Sequence, residues 1–352
     1  MTASQLLTQL RDLRTGIAPH PRRPDVVVQL GLELERTRNL ADIASQDIAD
    51  AAEQVAIAAL ETNHLVLANT LIARLSAHYR DQPHGLHRVN YLHGMLLEAR
   101  GDLVAAKEYY LQKLRDDDAD VAVRKRLAAL HLSSPIVDLS TPSTSTTKAH
   151  PTAVAAAAAG PYRSASLSQT EGISLLVAYL DTYYLDLASW LSLASAYASL
   201  AQYRAAQTCL AHAAVLSPHD PFVHLKLAET AYTLGELPLA WKGFCRVIEM
   251  STEVDDARDA LNKGAARRAA VGAKLCIPRL RASEYPTATT ATSSSTGAAA
   301  EGDDEVLTPQ HLGEMDLLLT KLLLQSASAT KTGPELRTWL SLTGPESSLA
   351  AK

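Results

Sequence analysis

Residues 187–218, LASWLSLASAYASLAQYRAAQTCLAHAAVLSP, decide the fold of this chain. Large and small apolar residues recur along the stretch at the spacing of two helices that each bury one face. The small residues Ala194, Ala206 and Ala213 fall where two helix backbones approach closely, and larger side chains fill the gaps around them. Pro218 ends the second helix, because proline cannot continue one. The stretch therefore predicts two antiparallel helices packed into a hairpin.

The same residues are in register with a known 34-residue repeat. With Trp190 as position 4, nine further residues fall at positions 7, 8, 11, 15, 17, 20, 24, 27 and 32, which is the tetratricopeptide (TPR) pattern. They are Leu193, Ala194, Tyr197, Ala201, Tyr203, Ala206, Leu210, Ala213 and Pro218. We therefore predict an all-α fold, a tetratricopeptide-type solenoid of helical hairpins with two low-complexity loop insertions.

Neighbouring stretches repeat the pattern on both sides. Upstream, Ala106 takes position 20, which puts Gly94 at position 8 and Gly101 at position 15. Gly94 permits close helix contact, and Gly101 supplies the turn between the helices. Downstream, Ala228 and Ala240 take positions 8 and 20. The residues predicted to pack the repeats are Trp190, Leu193, Ala194, Tyr197, Ala206, Leu210, Ala213, Gly94, Gly101, Ala106, Ala228 and Ala240.

Composition predicts how the chain is divided. The expected parts are an N-terminal segment at 1–24, the solenoid at 25–277, a low-complexity loop at 278–307, a C-terminal helix at 308–326 and a tail at 327–352. Within the solenoid, residues of about 133–168 are dominated by Ser, Thr, Ala and Pro, which cannot offset the entropy of ordering. We predict a flexible loop there that splits one repeat without breaking the array. Pro278 is expected to end the last solenoid helix, and Trp339 in the tail is either docked or exposed.

Overall composition agrees with helix-on-helix packing. Of 352 residues, 47% are hydrophobic but only 5% aromatic, so the apolar mass is mostly Ala, Leu and Val. The net charge of -5 lacks the basic footprint of a nucleic-acid binder. Three distant cysteines without a CxxC predict no disulfide framework and a reducing compartment. We expect neither a signal peptide nor a membrane-spanning helix, since no apolar run approaches about 20 residues.

No group of residues predicts catalysis, a cofactor or a metal, so we expect a protein that is not an enzyme. His84, His87 and His93 lie around a turn without a carboxylate or cysteine at ligand spacing, and we interpret them as solvent-facing. Asp116, Asp117 and Asp118 are expected to cap a helix. The basic runs 124–126 and 267–268 are interpreted as solvated faces, with an acidic partner or lipid headgroups as the alternative.

Function must then lie in surfaces. Stacked repeats line an inner wall with their first helices, and such walls hold peptides or helices of partners. In the central repeat this wall should include Ala188, Leu191, Ser195 and Ser199. Repeats that clamp the acidic C-terminus of a chaperone have Lys and Asn at positions 5 and 9, where this repeat has Leu191 and Ser195. A co-chaperone role of that type is therefore not expected.

The order of several segments goes beyond the generic repeat. They include EQVAIAALETNHLVLANTLIARL (53–75), HRVNYLHGMLLEARGDLVAAKEYYLQKL (87–114), VRKRLAAL (123–130) and the stretches 175–221 and 224–244. Together they resemble subunit 2 of the endoplasmic reticulum (ER) membrane protein complex over about residues 45–250, apart from the long insertion. The two low-complexity loops and the C-terminal third correspond only loosely.

The resemblance implies a non-enzymatic cytosolic scaffold that supports insertion of transmembrane proteins. Such a protein is peripheral on the cytoplasmic face of the ER membrane. Its partners are protein subunits of a membrane-bound complex, without nucleic acid, and it contacts the membrane only through them. Two alternatives remain: a TPR adaptor of another assembly, such as a ubiquitin ligase or a vesicle-transport complex, and an enzyme with a site in the C-terminal region 277–352.

Overall fold

The computed structural model describes residues 3–15, 23–36, 45–80, 82–134, 166–252, 264–282, 309–327, 335 and 338–340. Within these residues the regular structure is entirely helical, with no strand. The predicted all-α fold of tetratricopeptide type is confirmed. Most of the predicted insertion at 133–168, nearly all of the loop at 278–307 and most of the tail at 327–352 lie outside the described residues.

The chain forms two compact units, Met1–Tyr184 and Leu185–Lys352. The helices of the first unit are α1 (Ala3–Thr15), α2 (Pro24–Arg36), α3 (Gln46–Glu61), α4 (Leu65–His78), α5 (Pro83–Ala99), α6 (Leu103–Asp116), α7 (Val121–Leu132) and α8 (Gln169–Thr182). Those of the second are α9 (Leu187–Ser199), α10 (Tyr203–Leu216), α11 (Pro221–Thr233), α12 (Leu237–Thr252), α13 (Gly264–Ala282) and α14 (Pro309–Ala327).

The hydrophobic core of the first unit begins earlier in the chain than the sequence suggests. Leu6 and Leu10 of α1 are fully buried, in one cluster with side chains of α2, α3, α4 and α5. Helix α1, which falls within the predicted N-terminal segment 1–24, therefore packs with the solenoid helices. Its apolar residues recur at i and i+4, which places them on the one face that α3 covers.

Close helix contact within a hairpin depends on a small residue facing a large one. The ring of Tyr110 on α6 lies against Gly94 on α5, so that a Cβ at Gly94 would fall 2.0 Å from Cε1 of the ring. The Tyr110 hydroxyl reaches past this contact and donates a hydrogen bond of 2.6 Å to Glu98 Oε1. A glycine at position 94 thus lets the backbone of α5 approach the aromatic side chain directly.

In four hairpins of the described part of the chain, the turn contains one residue in the left-handed backbone conformation. This residue lies two positions before the first residue of the second helix. The residues are Asn63 (φ 63°), Gly101 (φ 83°), Ala201 (φ 58°) and Gly235 (φ 80°). Glycine adopts this conformation without strain and asparagine tolerates it, whereas the Cβ of alanine approaches the following carbonyl oxygen. The turn at Ala201 is therefore strained.

The described ends of the predicted insertion, Ser134 and Ser166, lie beside neighbouring helices. Helices α7 and α8 pack on each other although residues 135–165 separate the ends described at Ser134 and Ser166. Gln169 Nε2 donates to the Ser134 carbonyl at 3.0 Å, and Lys107 Nζ donates to the Ser166 carbonyl at 3.0 Å. These bonds hold both ends of the insertion on the hairpin.

The expectation that Pro278 ends its helix is wrong, because α13 continues through it to Ala282. Proline removes one backbone donor, but Ile277 and Leu280 on either side are buried, and their burial offsets that loss. Leu340 belongs to the same buried cluster and Trp339 packs against it. This part of the predicted tail is docked.

A buried ion pair fixes α14 on α13. Lys274 is only 3% exposed and Asp316 6%, and Lys274 Nζ lies 2.6 Å from Asp316 Oδ1 and 2.7 Å from Thr320 Oγ1. Burial of two opposite charges is tolerated only when the two groups pair with each other. Nothing in the spacing of the sequence indicated this pair, because 42 positions separate the two residues.

We predict that replacing Ala201 with glycine raises the free energy of unfolding by about 1 kcal/mol, because it removes the left-handed strain. The same change at Ala198, inside α9, should lower it by about 1 kcal/mol, since glycine weakens a regular helix. Urea unfolding of the full-length variants measures both. A loss of stability in the Ala201→Gly variant would contradict this account of the turn.

We predict that Lys274→Met lowers the free energy of unfolding by about 3–5 kcal/mol, because Asp316 then stays buried without its partner. The double variant Lys274→Met, Asp316→Leu should recover most of that loss. Thr320 keeps a partner in both variants, since its hydroxyl also donates to the Asp316 carbonyl at 2.6 Å. Urea unfolding of both chains gives the answer, and equal losses in the single and double variants would refute the pairing argument.

Candidate functional site

The four residues predicted to line a partner-binding wall share one face of α9. Ala188, Ser195 and Ser199 are exposed, and Leu191 is half-buried between them. Their spacing of three or four residues brings them onto neighbouring turns. The side chains of these four residues are small, aliphatic or hydroxyl groups, and none is charged.

The residues predicted to pack the repeats occupy three kinds of position. Leu193, Ala194, Ala206, Leu210, Ala213, Gly94, Ala106, Ala228 and Ala240 are buried. Trp190 and Tyr197 are half-buried, and the Trp190 ring stacks on His212 with centroids 4.7 Å apart. Gly101 is exposed, and a Cβ added there would meet no atom within 4 Å, so this glycine serves the turn and not the packing.

The first helices of the first unit carry a network of ion pairs. Asp50 on α3 accepts from Arg14 at 2.9 Å and from Arg88 at 2.7 Å. Glu53 accepts from Arg88 and, at 2.8 Å, from the Tyr91 hydroxyl. Burial acts to raise the pKa of Asp50, but hydrogen bonds led by that from Arg88 outweigh it and hold this pKa below its ordinary value. The carboxylates of Asp50 and Glu53 thus pair with cations of the chain itself.

The basic run 124–126 is not the solvated face that the sequence suggested. Arg126 donates two hydrogen bonds to Glu98, at 2.9 and 2.7 Å, in a half-buried site. Arg124 pairs with Asp118 at 2.7 Å, and Lys125 lies 5.8 Å from the centroid of the Tyr179 ring. These three cations serve contacts within the first unit.

The histidines also differ from expectation. His87 lies 3.1 Å from Asp120 and 3.5 Å from Asp117, so folding supplies the carboxylates that the spacing lacked. His93 lies 3.0 Å from Ser76 Oγ, and burial lowers its pKa. The side chain of His84 lies outside the described residues. Among the residues that the structure describes, no three His, Cys, Asp or Glu side chains group as metal ligands would.

Helix α7 is capped by a residue that the sequence analysis passed over. The Asp120 side chain accepts hydrogen bonds from the backbone N–H groups of Ala122 and Val123, at 3.1 and 3.2 Å. Asp117 and Asp118, which were expected to cap it, instead stabilise the preceding turn and pair with Arg124. An acidic residue directly before the first helical position was the signal that could have identified the cap.

The second unit contains an open groove between its first helices α11 and α13, with a volume of about 480 Å³. Its lining includes Tyr232, Val271 and Leu275, with the buried Phe244 beneath them. Sequence analysis did not find this groove, because its lining comes from three helices. A weak signal was present: Gly272 sits inside a helix, where glycine is costly unless a close contact requires it.

Two charged side chains close one end of the groove. Arg268 on α13 donates to both carboxylate oxygens of Glu229 on α11, at 2.8 and 2.9 Å. Arg268 is exposed, as expected of a solvated face, and its ion pair with Glu229 bridges two first helices. Among the described helices, none is long and apolar enough to cross a membrane.

A buried histidine at the root of the insertion gives the first unit a pH response. The Ser168 N–H donates to His131 Nδ1 at 3.4 Å, so the ring accepts there in its neutral form. Burial lowers the pKa of His131 from its ordinary value of 6.5; Glu171 opposes this and Lys107 adds to it. In the unfolded chain the ring takes up a proton at a higher pH than in the folded chain.

We predict that the free energy of unfolding decreases as the pH falls below about 6.5, towards the lower pKa of the folded ring, and that His131→Gln reduces this decrease. Above that range both states hold a neutral ring, and the slope from this residue vanishes. Urea unfolding at a series of pH values measures the difference between the two chains. A steeper decrease in the variant would contradict the assignment.

Solved structures resemble this chain only distantly. No protein-family model matches the chain. The C-terminal part of a TPR repeat-containing protein from Cytophaga hutchinsonii aligns with 95% of this chain and 98% of that one, at 12% identity and a TM-score of 0.48.

Relatives by sequence are closer. TPR repeat protein oca3 of Schizosaccharomyces pombe is 29% identical over 238 residues, which is 66% of this chain and 71% of that protein. ER membrane protein complex subunit 2-A of Xenopus laevis is 28% identical over 248 residues, which is 69% of this chain and 70% of that protein. The resemblance found in the sequence is thereby confirmed: the homologues of this chain, at 28–29% identity over about two thirds of its length, include ER membrane protein complex subunit 2 and a TPR repeat protein.

Proposed function

We propose that the chain is a non-enzymatic scaffold subunit of the ER membrane protein complex. In this role it lies on the cytoplasmic face of the ER membrane and binds cytosolic parts of the membrane subunits, and so supports insertion of transmembrane proteins. The observation that carries the proposal is the 28% identity to subunit 2 of that complex over 69% of this chain. No cofactor is involved, since the function is to hold other proteins.

The chain's surfaces suit such a role. Stacked helical hairpins offer long rows of first helices to partners. In the first unit, ion pairs such as Arg88 with Asp50 connect the first helices of neighbouring repeats. In the second unit the exposed face of α9 and the groove beside α13 leave room for other chains.

A second candidate function is that of a TPR adaptor in another assembly. The similarity to oca3 favours it, because that protein is named only for its repeats. Both candidates need the same surfaces and differ in the identity of the partners. Partner identity is therefore what an experiment must determine.

The test is affinity purification of the tagged full-length chain from its own cells, with membrane fractionation and mass spectrometry. We expect the chain in the ER membrane fraction, with the other subunits of the ER membrane protein complex at comparable amounts. Recovery with the subunits of a different assembly would overturn the proposal in favour of the adaptor.

A variant pair tests the wall on α9 in the same experiment. Ser195→Arg with Ser199→Arg places two bulky cations on the exposed face, and we expect the yield of partner subunits to fall about tenfold. Val215→Arg, at an 80% exposed position of α10, is the matched control and should leave the yield unchanged. Equal yields from all three chains would remove α9 from the binding surface.

A further inference from the structure

The groove between α11 and α13 combines an apolar pocket with a neighbouring arginine, Arg279, and the exposed face of α9 has neither. We propose that it binds a protein segment that carries acidic residues beside a large apolar side chain. The inference rests on the proposed function, since we take the owner of that segment to be another subunit of the same assembly.

The apolar part of the groove is suited to a single large anchor. Tyr232 forms one wall, Val271 and Leu275 form the other, and Leu275 remains 40% exposed. A volume of about 480 Å³ falls within the range of about 300–1,000 Å³ that is typical of ligand sites. Aromatic and aliphatic anchors in such pockets provide much of the binding energy between proteins.

The floor of the groove depends on a residue without a side chain. A Cβ at Gly272 would lie 2.5 Å from Cζ of the Phe244 ring, so α13 sits directly on that ring. A larger residue would push the helix away or fill the space above the ring. Phe244 is itself buried and fixes the floor.

The charged residues of α13 indicate which charge the partner segment carries. Helix α13 has no acidic residue and five basic ones: Arg267, Arg268, Lys274, Arg279 and Arg281. Asp316 neutralises Lys274 and Glu229 neutralises Arg268, whereas the Arg279 guanidinium lies over the Tyr232 ring, 4.8 Å from its centroid. Arg279, beside the groove residue Tyr232, is therefore the cation on which the inference rests, on a helix without acidic residues. An acidic segment is the complement of this cation.

Arg279 and Arg268 mark the length of the site. They are eleven positions apart on α13, with Val271 and Leu275 between them on the same face. A bound segment would place its apolar side chain between Tyr232 and Leu275. Its carboxylates would approach Arg279 and, in competition with Glu229, Arg268. The cation–π contact keeps Arg279 at the edge of the groove before a partner arrives.

The test uses the full-length chain in its own cells with a photoreactive benzoylphenylalanine at Thr233, an exposed residue of the groove lining. Cross-linked peptides are sequenced by mass spectrometry. We expect one segment of another protein, with Asp or Glu on either side of a large apolar residue. A segment without acidic residues, a second copy of this chain, another part of the same molecule, or no cross-link would each overturn the proposal.

Two substitutions at Leu275 separate charge from apolar contact. Both Leu275→Asp and Leu275→Lys replace the branched leucine side chain with a charged one, but only aspartate repels an acidic segment. We therefore expect the cross-link yield to fall about tenfold with Asp and about threefold or less with Lys. Val215→Asp, on the exposed face of α10, is the control and should have no effect. Equal losses with Asp and Lys would refute the acidic partner.

The same purification distinguishes failure of the groove proposal from failure of the proposed function. If the wild-type chain is recovered with the ER membrane protein complex and Leu275→Asp cross-links as well as wild type, the groove proposal fails and the proposed function stands. If the wild-type chain is recovered with another assembly, the proposed function fails. The composition of the segment cross-linked at Thr233 then decides the groove proposal by itself.

Discussion

The structure depends on direct contact between a residue without a side chain and a bulky one on the next helix. Gly94 lies against Tyr110, Gly31 against Val55 and Gly272 against Phe244, and in each case a Cβ would fall within 2.5 Å of the facing side chain. Such contacts set the distance and the rotation between two helices together. Within each unit the second helix of one hairpin packs on the first helix of the next, so a change in one contact alters the surface of its neighbours.

The two units use this packing for different ends. In the first, the first helices approach closely enough for Arg88 and Arg126 to satisfy carboxylates within the chain, so the wall is a closed network. In the second, the missing side chain at Gly272 lets α13 settle on the Phe244 ring at the floor of a groove, and α13 carries five basic residues and no acidic one. The first unit thus pairs polar groups between its first helices, whereas the second has an open apolar groove beside Arg279.

Sequence reasoning predicted what depends on periodicity and missed what depends on distant contacts. The hairpin around Trp190 and Ala206 was predictable, because every residue of a repeat has a fixed neighbour. The pair of Lys274 with Asp316, the carboxylates beside His87 and the groove were not, because folding joins residues that are far apart in the chain. Pro278 shows the limit of a local rule, since burial of Ile277 and Leu280 holds a helix together across a proline. The repeat pattern located the turn at Ala201 but did not indicate that this residue is strained.

Hydroxyl-radical footprinting of the full-length chain, free and within its purified assembly, tests most directly whether first helices are the surface that holds partners. We predict that assembly lowers oxidation of Leu191, Tyr232 and Leu275 and leaves Val215, on a second helix, unchanged. Protection of Val215 with continued oxidation of the three first-helix residues would contradict the account.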